Sequence, residues 1–209
     1  CFVDANSGWA SGSNGYIIYT TDGGATEWTD INTSAAFYTN YFLFFLDAST
    51  GWLGGSYETL DNTTDGGLTW ETVHPADDTD GRTFYDAWFM DENVGYITTG
   101  LGEVWSTTDG GANWTNSEIS SEQLRAIHFI DENNGWIVGF NGAAYFTNNA
   151  GSTWTSTTIS EDGDFRDVYF SDNNIGIAVA HDGVMYRTAN GGGTPVESIT
   201  QNNLISVFP

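Results

Sequence analysis

Positive charge is the scarcest property of this sequence. It contains no lysine, and four arginines stand against 28 aspartates and glutamates in 209 residues, which gives a formal net charge of -24. Affinity for nucleic acids comes largely from Lys and Arg that neutralise phosphates, and anionic membrane surfaces attract the same residues. We therefore expect neither nucleic-acid binding nor membrane insertion, and a preference for cationic or calcium-bridged partners.

Cysteine and long apolar runs are also scarce. The single cysteine, Cys1, excludes a disulfide within the chain and a cysteine-based zinc site. No apolar run approaches the roughly 18 residues that a membrane-spanning helix needs. With 39% hydrophobic and 15% aromatic residues, the chain is nevertheless too apolar for a disordered acidic tail. These properties predict a folded domain.

Two motifs recur five times along the chain in a fixed order. The first, F-x-D-x-x-x-G-W or a variant of it, begins at Phe2, Phe45, Phe89, Phe129 and Phe170. The second, T-x-D-G-G-x-T-W or a variant, begins at Thr20, Thr63, Thr107, Thr147 and Thr188. A period of about 40 residues, made of short segments rich in β-branched and aromatic residues, is typical of a propeller blade. The sequence therefore predicts an all-β fold, a β-propeller of about five four-stranded blades, either complete or part of a larger ring.

The polar and small residues of both motifs have expected structural roles. The first motif supplies an aspartate to accept backbone N–H bonds in a turn, and a glycine expected to take an unusual φ. These glycines are Gly8, Gly51, Gly95, Gly135 and Gly176. The second motif supplies a side chain that braces a hairpin turn, namely Asp22, Asp65, Asp109, Asn149 and Asn190, and a tryptophan expected to wedge between blades, namely Trp28, Trp70, Trp114 and Trp154. Because Asn replaces Asp twice, we interpret this motif as structural.

These residues resemble the Asp-box, or BNR-like, repeat of bacterial neuraminidases. The longer phrase that joins both motifs is similar to the propellers of the photosystem II stability and assembly factor-like (YCF48-like) family. The resemblance implies a β-propeller in which the Asp-box is structural. It leaves the activity open, because related repeats occur in sialidases, xyloglucanases and sortilin-type receptors.

The end of the sequence gives a separate indication. We place the propeller at residues 1–196, with repeats starting near residues 2, 45, 89, 129 and 170, and treat 197–209 as a linker followed by another element. The final NNLISVFP resembles the start of the C-terminal sorting domain that Bacteroidota use for type IX secretion, which implies a secreted or surface-attached protein. The alternative is that Leu204 to Phe208 form a strand that closes the ring.

The few arginines are the main candidates for ligand binding. Arg125 and Arg166 each lie four residues before a repeat phenylalanine, and Arg82 precedes its repeat by slightly more. Since guanidinium groups bind carboxylates with a rigid fork of donors, the three can converge on one anion. The alternative is that they neutralise an acidic surface. The remaining candidate binding residues are Tyr57, Phe140 and His181, which lie in connecting segments. The rings of Tyr57 and Phe140 can serve as platforms for a sugar.

A metal site has one candidate segment. Asp77, Asp78 and Asp80 precede Gly81 and form half of a calcium-binding loop, with Asp78 and Asp80 as the expected ligands. The alternative is a solvated acidic loop. The three histidines lack metal-ligand spacing, and we expect no cofactor other than possible calcium.

We therefore expect a secreted or cell-surface, non-catalytic propeller that binds a polysaccharide or another protein. One alternative is a glycoside hydrolase of the sialidase or xyloglucanase type, or a fragment of one, whose paired carboxylates the sequence does not single out. Another alternative is a chaperone of the assembly-factor kind.

Overall fold

The computed structural model describes residues 1–32, 39–73, 82–157, 159, 163–181, 183–192 and 197–200. These residues form β-strands and turns, with two short 3-10 turns at Ser13–Gly15 and Ser56–Glu58. Within this part of the chain no helix has the length and apolar character needed to cross a membrane.

Five antiparallel sheets contain all the strands of the described residues, and strands that follow one another in the chain lie side by side. The first sheet has three strands: β1 (Gly8–Ser11), β2 (Tyr16–Thr20) and β3 (Thr29–Asn32). The second has β4 (Asn40–Phe45), β5 (Gly51–Gly55), β6 (Leu60–Thr63) and β7 (Glu71–Thr72). The third has β8 (Phe84–Phe89), β9 (Gly95–Thr99), β10 (Glu103–Thr107) and β11 (Thr115–Glu118).

The fourth and fifth sheets repeat the same order. The fourth has β12 (Leu124–Phe129), β13 (Gly135–Gly139), β14 (Ala144–Thr147) and β15 (Thr155–Ser156). The fifth has β16 (Phe165–Phe170), β17 (Ile175–Ala180), β18 (Val184–Ala189) and β19 (Glu197–Thr200). One small meandering sheet per sequence repeat is the construction of a β-propeller, so the predicted fold class is confirmed.

The chain divides into two compact units. The first unit comprises 1–97 and 105–116, and the second comprises 98–104 and 117–209. The first and second sheets belong to the first unit, the fourth and fifth belong to the second, and the strands of the third sheet are shared.

The repeat phenylalanine is buried in the core of the second to fifth blades, whereas Phe2 of the first blade is exposed. In the first unit the Phe45 ring stacks on Trp9 of the preceding repeat, with centroids 3.8 Å apart and planes at 8°. Phe45 also meets the edge of Trp70 of its own repeat at 6.0 Å. The stack recurs between Trp136 and Phe170 in the second unit. The tryptophan that joins consecutive blades face to face is therefore that of the first motif.

The tryptophans of the second motif pack against the repeat phenylalanines. Each meets the repeat phenylalanine of its own blade edge to face, at interplanar angles between 77° and 87°, in the pairs Trp28–Phe2, Trp70–Phe45, Trp114–Phe89 and Trp154–Phe129. Trp70 also packs against a cluster that includes Ile31 of the preceding repeat. These tryptophans support the phenylalanine from its edge, and Trp70 also packs against residues of the preceding blade, as expected. The first-motif tryptophans stack face to face on the phenylalanine of the next blade.

The expectation of unusual φ angles at the first-motif glycines is wrong. Gly8, Gly51, Gly95, Gly135 and Gly176 do not adopt positive φ. Each faces the ring of the repeat phenylalanine, and a Cβ atom at Gly135 would lie 2.6 Å from Phe129 Cδ1. Phe129 and Gly135 are cross-strand partners, so glycine leaves room for the ring. The reason for these glycines is space and not backbone freedom.

A further strand lies just beyond residue 196, where the sequence-based prediction ends the propeller. Strand β19 begins at Glu197 and pairs antiparallel with β18, with Arg187 opposite Glu197. The fifth sheet therefore extends to Thr200. The sorting-domain segment and its alternative, the closing strand at Leu204–Phe208, lie outside the described residues.

Candidate functional site

A β-bulge interrupts the first strand of three sheets at the same repeat position. In β12, Leu124 pairs with Gly139 and Ala126 pairs with Val138, so Arg125 is the extra residue. By the same register shift, Arg166 is the extra residue in β16, and Tyr41 in β4. Bulges bend the strand and re-aim a side chain, and they are common beside binding sites. We call this place, four residues before the repeat phenylalanine, the bulge position.

In the second unit, two arginines from the bulge position meet one aromatic ring. The Cζ atom of Arg125 lies 4.3 Å from the centroid of Phe140, and the Cζ atom of Arg166 lies 4.7 Å from it. Arg125 Nη2 also donates a hydrogen bond to Gln123 Oε1 at 2.7 Å. Contacts of this kind attract the cation to the ring electrostatically. We call Arg125, Phe140 and Arg166 the arginine cluster; all three side chains are partly exposed.

The turn between β13 and β14 holds Phe140 in place. Phe140 N donates to Gln123 O at 2.9 Å. The next residue, Asn141, has a positive φ of 52°. Its backbone N–H donates to Asp164 Oδ1 at 3.2 Å, and its Nδ2 donates to Glu122 Oε2 at 2.6 Å. The turn is thus hydrogen-bonded to the residues that precede both β12 and β16. These bonds hold the ring of Phe140 in place beneath the two arginines.

The Nε atom of Arg166 is buried and has no hydrogen-bond partner among the described residues. A buried donor without an acceptor is unfavourable, so such groups often mark places where a ligand or water completes the set. The arginine cluster can therefore donate hydrogen bonds to an anionic or carbonyl oxygen of a ligand.

His181 lies at the same end of the fifth sheet as this cluster. Its backbone N–H donates to Asp164 O at 2.9 Å, and its side chain is exposed. The structure thus places four of the predicted binding residues in one region of the second unit: Arg125, Phe140, Arg166 and His181. The carboxylates Glu122 and Asp164 lie beside them, so the region is mixed in charge.

The remaining binding candidates lie in the first unit. Arg82 Cζ is 5.5 Å from the centroid of a Trp105 ring. Tyr57 is 71% exposed and has a positive φ of 58°, which is unusual for an aromatic residue. The structure therefore brings two of the three predicted arginines together, whereas Arg82 has a separate aromatic contact.

Sequence analysis missed two residues at the bulge position. Tyr41 and Tyr85 occupy it in the second and third repeats, four residues before Phe45 and Phe89. Their ring centroids are 5.1 Å apart at an angle of 67°, and Tyr41 is 49% exposed. Counting back from each repeat phenylalanine would have identified them, as it identified the arginines.

The second motif forms a hydrogen-bonded turn in every repeat. In the second sheet, Asp65 Oδ1 accepts from the Thr69 backbone N–H at 2.9 Å, and Oδ2 accepts from the Thr69 hydroxyl at 2.7 Å. The Thr69 hydroxyl is the main reason that the pKa of Asp65 lies below its usual value. Asp22 accepts the equivalent bonds from Thr26, and its pKa is lowered chiefly by the Thr26 hydroxyl. Asp109 accepts from the backbone N–H and the side-chain amide of Asn113, and this amide is the main reason that its pKa is lowered. The oxygens of these carboxylates therefore accept hydrogen bonds from groups within the turn itself.

Asparagine makes the same turn in the fourth and fifth repeats. Asn149 Oδ1 accepts from the Thr153 backbone N–H at 3.0 Å, and its Nδ2 donates to Thr153 Oγ1 at 2.9 Å. Asn190 accepts from the Thr188 hydroxyl at 2.7 Å. The turn requires an oxygen acceptor at this position and does not require a charge.

The candidate calcium ligands Asp78 and Asp80 lie outside the described residues. Among the residues that the structure does describe, no group of three or more His, Cys, Asp or Glu side chains is arranged to hold a metal ion.

Comparison with known proteins connects this geometry to a family. The model of the family described as photosynthesis system II assembly factor YCF48 matches residues 26–192. A comparison with curated protein sequences found no match.

Solved structures share the fold. YCF48 bound to D1 peptide is 19% identical, with a TM-score of 0.53 over 93% of this chain and 77% of that one. YCF48 from Cyanidioschyzon merolae is 20% identical, with a TM-score of 0.54 over 95% of this chain and 83% of that one. The WD40 β-propeller domain of Doa1 is 14% identical, with a TM-score of 0.75 over 96% and 67%.

Proposed function

Because the chain belongs to the photosynthesis system II assembly factor YCF48 family, we propose that it is a non-catalytic, protein-binding propeller that acts as an assembly factor. The observation that carries this proposal is the family match over residues 26–192. It is supported by the similarity to the solved structure of YCF48 bound to D1 peptide. A chaperone that holds a segment of a partner protein fits these observations better than the secreted propeller, binding a polysaccharide or another protein, that was expected from the sequence.

The arginine cluster is the proposed contact point for that segment. It gathers two of the four arginines of a chain whose net charge is -24, and both lie against Phe140. A guanidinium group binds a carboxylate through paired, charge-assisted hydrogen bonds. The buried Nε of Arg166, which has no acceptor among the described residues, supplies one further donor. We infer that the cluster binds a carboxylate of the partner segment, with Phe140 packing against its apolar part.

The cellular location is a separate part of the proposal. We propose that the protein is exported or attached to the cell surface, on the basis of the NNLISVFP segment at 202–209. Fractionation of the native host into cytoplasm, envelope and medium tests this part independently of binding.

The binding proposal is tested with peptides on an array that presents each sequence twice, once with a free C-terminal carboxylate and once as the amide. We expect wild-type protein to prefer peptides with carboxylates. Combined Arg125→Ala and Arg166→Ala substitution should weaken the best of them by about ten- to a hundredfold, the range for hydrogen bonds to charged groups.

The matched control for each single variant, Arg125→Ala or Arg166→Ala, is Arg187→Ala, which removes one positive charge from an exposed position on β18 of the second unit. We expect this variant to bind like the wild type. Equal weakening by Arg187→Ala and by the single variants would show that net charge alone acts and would overturn the assignment of the site. Binding of a neutral oligosaccharide in place of any peptide would return the proposal to a polysaccharide partner.

A further inference from the structure

Tyrosines occupy the bulge position in the first unit, where the second unit has arginines. Tyr41 is the extra residue of the bulge in β4, and Tyr85 holds the same repeat position in β8. Their rings form an edge-to-face pair with centroids 5.1 Å apart. Nearly half of the Tyr41 surface is open to solvent, and Tyr85 is partly exposed. The bulge therefore presents aromatic rings here rather than charge.

Tyr57 lies at the same end of the second sheet. The turn that carries it is bonded to the residue two places before Tyr41: Ser56 N donates to Thr39 O at 3.0 Å, and Thr39 N donates to Ser56 Oγ at 3.1 Å. The left-handed backbone of Tyr57 is one that Asn14 and Asn141 adopt in other repeats. A large aromatic residue in this conformation is strained, and such strain is concentrated at functional positions. We call Tyr41, Tyr57 and Tyr85 the tyrosine surface.

In the arginine cluster, the group that packs against the aromatic ring beside the bulge is a guanidinium. There, guanidinium groups of the chain itself lie 4.3 Å and 4.7 Å from the centroid of Phe140. In the first unit the aromatic rings are present at the bulge position, and the only arginine, Arg82, lies over Trp105. A cation supplied by a partner can make the same kind of contact with the exposed rings of the tyrosine surface.

The negative charge of the first unit also favours a cationic partner group. This unit contains more than half of the carboxylates of the chain and one of its four arginines. A surface with this excess of negative charge attracts cationic groups and repels anionic ones over several ångströms. We propose that the tyrosine surface binds a basic side chain of the partner protein, arginine in preference to lysine because its planar group stacks on aromatic faces. This inference rests on the proposed function, since it assigns part of the same partner.

The test uses a fluorescently labelled Gly-Arg-Gly-Arg-Gly peptide with both ends blocked, and an analogue in which citrulline replaces arginine and removes only the charge. Fluorescence anisotropy measures the Kd of each. We expect Tyr41→Leu combined with Tyr85→Leu to weaken the arginine peptide by about two- to thirtyfold, the range of one cation–π contact. The citrulline peptide should bind wild type and the leucine variant equally weakly.

Two further variants keep the test decisive. Tyr41→Phe combined with Tyr85→Phe keeps the rings and should bind the arginine peptide like the wild type, which separates the role of the rings from that of the hydroxyl groups. An unchanged urea midpoint of the leucine variant excludes an effect of misfolding. Tyr16→Leu removes a tyrosine that is 53% exposed on β2 of the same unit and should change nothing. If the leucine variant binds as tightly as wild type, acidic residues alone hold the cation and the inference is overturned.

Binding of an uncharged oligosaccharide such as cellohexaose, lost in the leucine variant, would also overturn the inference, because the rings would then be a sugar platform. The proposed function is judged separately by the effect of Arg125→Ala and Arg166→Ala on carboxylate peptides. A failure of either proposal can therefore be recognised without the other.

Discussion

The two compact units use the same repeat for different chemistry. At the bulge position the first unit has Tyr41 and Tyr85, whereas the second has Arg125 and Arg166. The bulge in the backbone is the same in β4, β12 and β16. The comparison shows that the blade determines where a side chain is displayed and that the residue type at that place determines what it can bind. A repeat protein can thus diversify one face without changing its core.

The turns of the second motif differ between the units in a parallel way. The first unit braces them with Asp22, Asp65 and Asp109, and the second with Asn149 and Asn190. Asp65 Oδ2 accepts from the Thr69 hydroxyl, while Asn149 Nδ2 donates to the hydroxyl of Thr153. Because a threonine hydroxyl can serve as donor or acceptor, the turn keeps the same hydrogen-bonded geometry with either aspartate or asparagine. The first unit thereby carries charge where the second is neutral.

The largest expected effect tests whether the core is equivalent in the two units. Phe45 in the first and Phe129 in the second are 4% and 2% exposed. Replacing either phenylalanine by alanine should lower the free energy of unfolding by about 3–5 kcal/mol, because the ring is lost and a cavity remains. Urea denaturation followed by tryptophan fluorescence measures this. Phe140→Ala, which removes a partly exposed ring, is the control and should cost much less. A large loss for only one of the two core variants would contradict an equivalent core.

A smaller effect tests the reason for the first-motif glycines. A Cβ atom at Gly51 or Gly135 would lie 2.7 Å or 2.6 Å from a ring carbon of the repeat phenylalanine. We expect Gly51→Ala and Gly135→Ala to destabilise each unit by about 1–3 kcal/mol through overpacking. Gly12→Ala is the control, since nothing lies within 4 Å of its Cβ position. Equal thermal midpoints for Gly135→Ala and Gly12→Ala would show that the ring can move aside.

The fold and part of the candidate site were predictable from the sequence. The spacing of the repeat phenylalanines predicted one sheet per repeat, and the shared spacing of Arg125 and Arg166 placed them together. Their contact with Phe140 was not predictable, because it depends on the bulge that re-aims both arginines. The glycine error has a similar origin: a motif shows that glycine is required without showing whether backbone freedom or a neighbouring ring is the reason.

Exchanging residues at the bulge position sharpens the comparison directly. Arg125→Tyr combined with Arg166→Tyr should reduce affinity for carboxylate peptides about tenfold or more, because the charge-assisted hydrogen bonds are lost. Stability should change by less than about 1 kcal/mol, since the bulge residue is partly exposed in wild type. The reverse exchange, Tyr41→Arg with Tyr85→Arg, should abolish the preference for arginine peptides over citrulline peptides. If the exchanged proteins keep their wild-type preferences, binding is determined elsewhere on the blades.

The smallest expected effect concerns charge in the turns. The folded pKa of Asp65 is lowered, chiefly by the hydrogen bond from the Thr69 hydroxyl. Its carboxylate therefore stabilises the fold above the unfolded pKa of about 3.9, and this contribution is lost as the pH falls through the folded pKa. Asp65→Asn should leave stability near neutral pH almost unchanged and make the acid limb of the stability curve less steep.

The converse variant, Asn149→Asp, should introduce an additional loss of stability in acid, since the new carboxylate would accept bonds from Thr153 as Asp65 does from Thr69. Urea midpoints measured from neutral pH downwards provide the curves, and subtracting the wild-type curve isolates the single residue from the other titrating aspartates. Parallel curves for Asp65→Asn, Asn149→Asp and wild type would mean that the turn gains nothing from charge. The difference between the two units would then be confined to the bulge position, where tyrosine and arginine present different chemistry to a partner.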